Sequence, residues 1–192
     1  MLTQIANLLI DSLGSLFIYM LLLRFHMQWL RAPFRNSIGE MVASLTNWMV
    51  LPARRFIPGL FGLDLATLIL ALLAQALMKA LLLSLSGFPF AHAPGGAFLV
   101  LAALSAIDLV RMSINILIGA AIVQALLSFV APYSPIAPLL NAITEPFYRP
   151  FRRFIPPMGN IDLSPLFMII VAQVLLIPLA ALSRMVAASF TI

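Results

Sequence analysis

The sequence predicts an all-α membrane protein: four transmembrane helices forming two parallel tandem repeats, each a span, an inner amphipathic loop helix and a second span. Composition is the first observation behind this. The 192 residues are 63% hydrophobic and 9% charged, with a mean hydropathy of +1.11, whereas soluble domains carry about 25% charged residues. Eleven bases and six acids cannot supply the polar share of a folded surface in water. The second observation is four apolar stretches, each long enough for the roughly 20 helical residues that cross a bilayer. The third is a repeat. Arg-Arg-Phe-Ile-Pro at 54–58 recurs at 152–156, 98 residues on.

The first span occupies about residues 2–30, interrupted by Asp11, Arg24 and His26. It lacks the basic start, short apolar core and small-residue cleavage site of a signal peptide, so it is expected to be retained. The second runs from about 63 to 86 and carries Gln75 and Lys79. The third, at about 98–130, is over-long for one crossing and is expected to tilt or to begin as an interfacial helix. Its Asp108 and Arg111, three apart, share a helix face and can pair. The fourth covers about 163–187, and Pro178 removes a backbone hydrogen bond there, which predicts a kink. Gly and Pro clusters separate the spans. The loops at 31–62 and 131–162 hold seven arginines between them, and the loop at 87–97 has no Lys or Arg. Basic residues resist translocation, so the Arg-bearing loops are expected in the cytoplasm and both termini outside.

At the same gapless offset of 98, Thr46 matches Thr144, Pro52 matches Pro150, Asp64 matches Asp162, and Gln75 matches Gln173. Residues 1–98 and 99–192 therefore read as two copies of one unit. Each copy crosses twice and enters from the same side, which predicts a pseudo-two-fold axis along the membrane normal. The inverted repeats of many alternating-access carriers would need an odd number of crossings. Before each motif, residues 37–50 and 135–147 space apolar side chains at three and four. These read as interfacial helices, with Trp48 and Tyr148 as headgroup-level anchors.

Several function classes drop out. With no cysteine, disulfides, thiolate nucleophiles, c-type haem attachment and Cys-type zinc or iron–sulfur sites are excluded. His26 and His92 are too few and too differently placed for a metal or haem centre, so no cofactor is expected. The pI near 10.8 comes from basic residues scattered beside apolar spans, not from a stripe interleaved with exposed aromatics, so nucleic acid is not an expected partner. No GxSxG, Walker loop, HExxH helix or nucleophile–base–acid set occurs, and an enzyme is not expected.

The residues left to carry function fall into three groups. Arg54/Arg55 and Arg152/Arg153, flanked by prolines expected to hold the backbone extended, suit lipid phosphates or a partner protein, or serve as plain topogenic anchors. Asp64 and Asp162 begin their spans and are expected to cap them, with a salt bridge to the Arg ten residues earlier as a compatible role. Eleven residues on, Gln75 and Gln173 share the aspartates' helix face, which should point into the bundle. The pseudo-symmetry pairs these glutamines with each other. Asp11, Lys79, Asp108, Arg111 and Arg184 are intramembrane charges. Such groups are functional candidates by default; otherwise they pair with one another or snorkel. A bundle this small is expected to self-associate, with Gly119-Ala120-Ala121 as a close-approach patch.

From Thr144-Glu145-Pro146 through Arg152-Arg153-Phe154-Ile155-Pro156-Pro157-Met158-Gly159-Asn160-Ile161-Asp162-Leu163-Ser164-Pro165, the chain closely resembles the YggT family of small bacterial membrane proteins. Leu23-Arg24 and Trp29 at the end of the first span fit as well. The first copy keeps Pro52, Arg54, Arg55, Pro58 and Asp64. It has Asn47-Trp48 in place of Glu145-Pro146 and Ala66-Thr67 in place of Ser164-Pro165, so a role of Glu145 in lipid or partner binding belongs to one copy only. The resemblance implies a cytoplasmic-membrane protein whose relatives are linked to osmotic or ionic stress tolerance, to envelope and division organisation, and in plastids to cytochrome assembly. The function expected is a scaffold or assembly factor that meets anionic phospholipid and a membrane-protein partner through its Arg motifs. The alternative is a small ion or osmolyte pathway.

Overall fold

Apolar segments in hydrocarbon must satisfy their own backbone N–H and C=O groups, and helices do so within the segment. The computed structural model describes residues 1–60, 62–85, 94–131, 133–154 and 162–188. They form helices α1 (Leu2–Trp29), α2 (Ser37–Ala53), α3 (Leu65–Leu85), α4 (Pro94–Val130), α5 (Ala137–Phe154) and α6 (Ser164–Ala188). Helices α1, α3, α4 and α6 are long and apolar enough to cross a membrane; α2 and α5 are the loop helices. Among the described residues the only extended pairing is an isolated bridge between Leu60 and Leu63. Gly62 sits inside that reversal at φ 80°, which glycine adopts without steric cost.

The helix ends explain the connections. At the end of α1 the N–H of Ala32 donates to the carbonyl of Met27 and that of Arg31 to Gln28. This left-handed turn usually holds glycine, yet here Arg31 occupies it at φ 54°. Asn36 then caps α2, its Oδ1 accepting the N–H of Gly39 at 2.9 Å. A Cβ at Gly39 would stand 2.4 Å from the Phe34 carbonyl oxygen, so only glycine lets the chain double back this closely.

Three expectations about these elements are corrected. The prolines around the Arg pairs do not hold the backbone extended: α2 runs through Pro52, and Arg54 follows in helical geometry. Likewise α5 runs through Pro146 and Pro150, placing Arg152 and Arg153 in its last turn. A basic pair there complements the negative end of the helix. Helix α4 starts at Pro94, taking in the last residues of the expected 87–97 loop, because proline is well suited to a first turn. Tyr148 is no headgroup anchor. It is 1% exposed and packs with Ala121, Met168 and Ala172, whereas Trp48 is 65% exposed. His92 and the Ile155-Pro156 end of the second motif lie outside the described residues.

Both repeats build the same unit: α1 packs on α3 and α2, and α4 packs on α6 and α5. The repeats meet through α3 and α1 against α4, and α1 against α5. Ile18, Leu21, Leu22, Ala71, Met78, Leu109 and Met112 form the core at this junction. Since lipid tails are as apolar as leucine, close packing rather than water exclusion holds such helices together. The expected two-fold bundle does not close. A two-fold would match the α3–α4 contact with one between α6 and α1, and among the described residues α6 makes no comparable contact with α1 or α3. Ala120 and Ala121 are buried within the chain, so the small-residue patch there is spent on α4's own neighbours. Gly119 alone faces open space.

Candidate functional site

Three polar sites stand out, one at the Arg-motif end of each repeat and one in the half of the bundle away from those motifs. In the first repeat the latch begins at Arg54, whose Nη2 donates to Asp64 Oδ2 at 2.5 Å and to Gln28 Oε1 at 2.7 Å. Asp64 in turn accepts the hydroxyl of Thr67 and its N–H at 3.3 Å, which caps α3. Beside it, buried Arg24 donates to Thr46 Oγ1 at 2.6 Å and Asn47 Oδ1 at 2.8 Å, tying α1 to α2. Thr46 also donates to the Val42 carbonyl.

The second repeat holds the matching latch in different dress. Arg152 donates through Nε to Asp162 Oδ2 at 2.9 Å and through Nη1 to Glu145 Oε2 at 2.7 Å, with its guanidinium over the Tyr148 ring. Asp162 accepts the N–H of Ser164 at 2.9 Å. Pro165, standing where the first copy has Thr67, offers neither an N–H nor a hydroxyl, so the aspartate turns to its nearer neighbour. Thr144 donates to Gln124 Oε1 at 2.5 Å, as its counterpart Thr46 accepts from Arg24. Arg24 and Gln124 are thus structural counterparts at an offset of 100, while Thr46 and Thr144 stand at 98. The gapless register therefore holds for the loop helices and second spans, and α1 and α4 are related by 100.

Electrostatics follow burial and partners. Burial pushes the Asp64 carboxyl up, but hydrogen bonds from Arg54 and Thr67 outweigh it and hold the group below its ordinary range. Asp162 is pushed up by burial too, and is held low by Ser164 and Arg152. Burial alone would lower Arg152; Asp162 and Glu145 reverse this and raise it. Arg55 and Arg153 are exposed and make no ion pair among the described residues. One member of each Arg pair is therefore spent inside the chain and its neighbour is presented outward. Glu145 likewise faces Arg152 and, at 3.7 Å, Arg149.

The third site is a polar cleft of about 230 Å³ between α1, α3 and α4. Helix α1 lines it with Asp11, Ser15 and Tyr19, α3 with Gln75 and Lys79, and α4 with Asp108, Arg111 and Asn115. Asp108 is the hub: Lys79 lies 2.6 Å away, Arg111 3.4 Å away, and Gln75 donates to it at 3.2 Å. Gln75 Oε1 is buried with no hydrogen-bond partner among the described residues. The expected Gln75–Gln173 pair is not formed, because Gln75 faces α4 while Gln173 is exposed on α6. Arg184 is exposed on α6, away from the cleft. Toward the Arg motifs a further cavity, about 400 Å³, is lined by apolar side chains such as Leu22, Leu109, Leu117 and Ile143, with His26 and Ser113. His26 Nδ1–H donates to the Leu22 carbonyl at 2.7 Å.

Sequence reasoning missed Ser15, Tyr19 and Asn115 in the cleft and Thr46, Asn47 and Gln124 at the Arg-motif ends. A signal existed: Asp11, Ser15 and Tyr19 recur every fourth residue in an apolar helix, and Asp108, Arg111 and Asn115 at three and four. That spacing is one polar stripe. Among the described residues no group of three or more His, Cys, Asp or Glu could hold a metal ion.

The model of the family described as CCB3/YggT matches residues 3–85 and again 103–183. The chain belongs to the CCB3/YggT family. The two matched segments begin 100 residues apart and end 98 apart, the same shift that the Arg24/Gln124 and Thr46/Thr144 pairs show. An uncharacterized protein of Pseudomonas aeruginosa is 37% identical over 161 residues, 83% of this chain and 80% of its own. An uncharacterized protein of Vibrio alginolyticus is 33% identical over 168 residues, 87% of this chain and 89% of its own. The uncharacterized protein YggT of Escherichia coli K12 is 29% identical over 169 residues, with 87% and 85% covered. No solved structure gives a significant match. Like these CCB3/YggT relatives in extent, the chain is a multi-pass inner-membrane protein with an internal repeat.

Proposed function

We propose that the protein is a non-catalytic organising factor of the cytoplasmic membrane, meeting anionic phospholipid and a membrane-protein partner through its two Arg motifs, with a role in osmotic or ionic stress tolerance. In this reading the Arg-bearing loops are cytoplasmic and both termini outside. One observation carries it: in both repeats the first arginine of the pair is latched to the aspartate, which leaves Arg55 and Arg153 exposed beside an amphipathic loop helix. A latch that fixes the backbone while presenting a second guanidinium suits phosphate oxygens, and each basic residue at an anionic leaflet contributes about 1 kcal/mol. The contact residues are therefore Arg55 and Arg153, with Arg54, Arg152 and Glu145 as their supports. A photoreactive residue at exposed Phe56 or Arg149, followed by mass spectrometry of captured species, tests this. Protein partners should appear and be lost in Arg55→Ala/Arg153→Ala. Capture unchanged by that double substitution would sink the assignment.

A second reading, a small ion or osmolyte pathway, is favoured by the charged cleft between α1, α3 and α4. The apolar cavity beneath it counts against a continuous route. Purified protein in liposomes should then move K⁺, Na⁺ or H⁺ under an osmotic gradient, with flux sensitive to Asp108→Asn. If nothing moves, this reading fails.

A further inference from the structure

We propose that the protein assembles head to tail with further copies of itself, α4 and α6 of one copy seating α1 and α2 of the next. The internal junction supplies both halves of this interface. On the first repeat it is built from Tyr19, Leu22 and His26 of α1 and Gln75 and Lys79 of α3. At offsets of 100 for first spans and 98 for second spans, these positions recur in the second repeat as Gly119, Ile122 and Leu126 on α4 and Gln173 and Ile177 on α6. Ile122, Leu126, Gln173 and Ile177 are exposed, and a Cβ at Gly119 would meet nothing within 4 Å.

The opposite half of the junction is built from Asp108 and Leu109 of α4 and Ile143 of α5. The same offsets carry these back to Leu8 and Leu9 on α1 and Leu45 on α2, each exposed. The positions named on each side of the junction thus recur, uncovered, in the other repeat. Because among the described residues α6 makes no contact with α1 comparable to that between α3 and α4, the relation between repeats does not close on itself. Continued to a neighbouring copy, it gives a heterologous interface, which generates a ring or an open row according to its rotation.

Lipid alone leaves Gln173 unexplained. It lies nine residues into α6, about 14 Å along the helix, close to the middle of a core about 30 Å thick. An amide there is costly without a partner, and Gln173 has none among the described residues. Its counterpart Gln75 donates its amide N–H at the same depth to the Asp108 carboxylate of the second repeat. A second copy would bring Leu8 to that place, with exposed Asp11 one turn further on, and so supplies the missing acceptor.

The chain has no cysteine, which makes the test direct. Two differently tagged copies, one Ile177→Cys and one Leu8→Cys, are co-expressed and treated in native membranes with a short membrane-permeable thiol crosslinker. The expected result is a mixed-tag product exceeding both same-variant products. A dominant product between two Ile177→Cys chains would mean a two-fold interface and overturn the proposal, and so would the absence of any product, which would leave lipid as the occupant. Adding Gly119→Phe fills space that is open within one chain, so the melting temperature should hold while the mixed product falls about tenfold. Unchanged crosslinking in that variant would also refute the interface.

Discussion

Asp64→Ala and Asp162→Ala remove the same residue from the same motif, and their costs should differ. The Asp64 side chain is 3% exposed and that of Asp162 32%. In the first repeat the substitution strips the cap from the Thr67 N–H, about 1 kcal/mol, and the acceptor from the Thr67 hydroxyl, about 1 kcal/mol. Arg54 is 36% exposed and keeps Gln28, so solvent screening limits the lost pair to about 1 kcal/mol. The total is about 3 kcal/mol by those values. In the second repeat the cap on Ser164 is again about 1 kcal/mol, but Arg152 retains Glu145 and its exposed pair contributes at most about 0.5 kcal/mol. At roughly 2–4 °C per kcal/mol for a chain of this length, Asp64→Ala should lower the melting temperature by about 9 °C and Asp162→Ala by about 4 °C. Thermal unfolding of the purified variants in one detergent, followed by circular dichroism, measures both. Equal losses, or a larger loss for Asp162→Ala, would refute the claim that Thr67 and burial make the first latch the stronger.

The pH dependence should follow from the same carboxylate. Because Asp64 is held below its ordinary value, its stabilisation is complete above about 3.9, the unfolded value, and is lost as pH falls through the lower folded value. The melting temperature of the unmodified protein should therefore drop below about pH 4, more steeply than that of Asp64→Asn in the same titration. Arg31→Gly relieves a left-handed residue and should raise stability by about 0.5 kcal/mol while weakening sedimentation with anionic vesicles. A gain in stability with vesicle binding intact would show that the Arg31 charge is not used. Gly39→Ala drives a Cβ against the Phe34 carbonyl and should cost about 1–3 kcal/mol, whereas Gly119→Ala should be neutral or stabilising. A scan that ranks these two the other way would contradict the helix packing.

The four spans were legible because hydrocarbon imposes one rule, apolar length, that tertiary packing does not override. The loop helices were legible from their spacing of apolar residues, but their ends were not. Proline near Arg54 and Arg152 reads locally as a helix stop, and the helices run past it because the latch to Asp64 or Asp162 rewards the helical geometry that carries the arginine there. Tyr148 was misread for a related reason. A Tyr at the membrane surface has the same sequence signature whether its ring faces headgroups or a groove, and here Ala121 and Ala172 open a space that the ring fills.

The glutamines show where reading a repeat from sequence ends. Gln75 and Gln173 share a residue type and a distance to a latched aspartate, yet one is buried against Asp108 and the other is exposed. The sequence of a repeat specifies the unit: span on span, loop helix on span, arginine on aspartate, and these recur in both copies. It does not specify what lies beyond the unit, because α3 meets α4 of the second repeat, while among the described residues α6 packs only within its own repeat. A pattern written twice for one internal junction necessarily presents the unused halves of that junction at its two ends. The polarity kept at Gln173, in a helix that could have been wholly apolar, is then a property of the junction rather than of the span in which it sits.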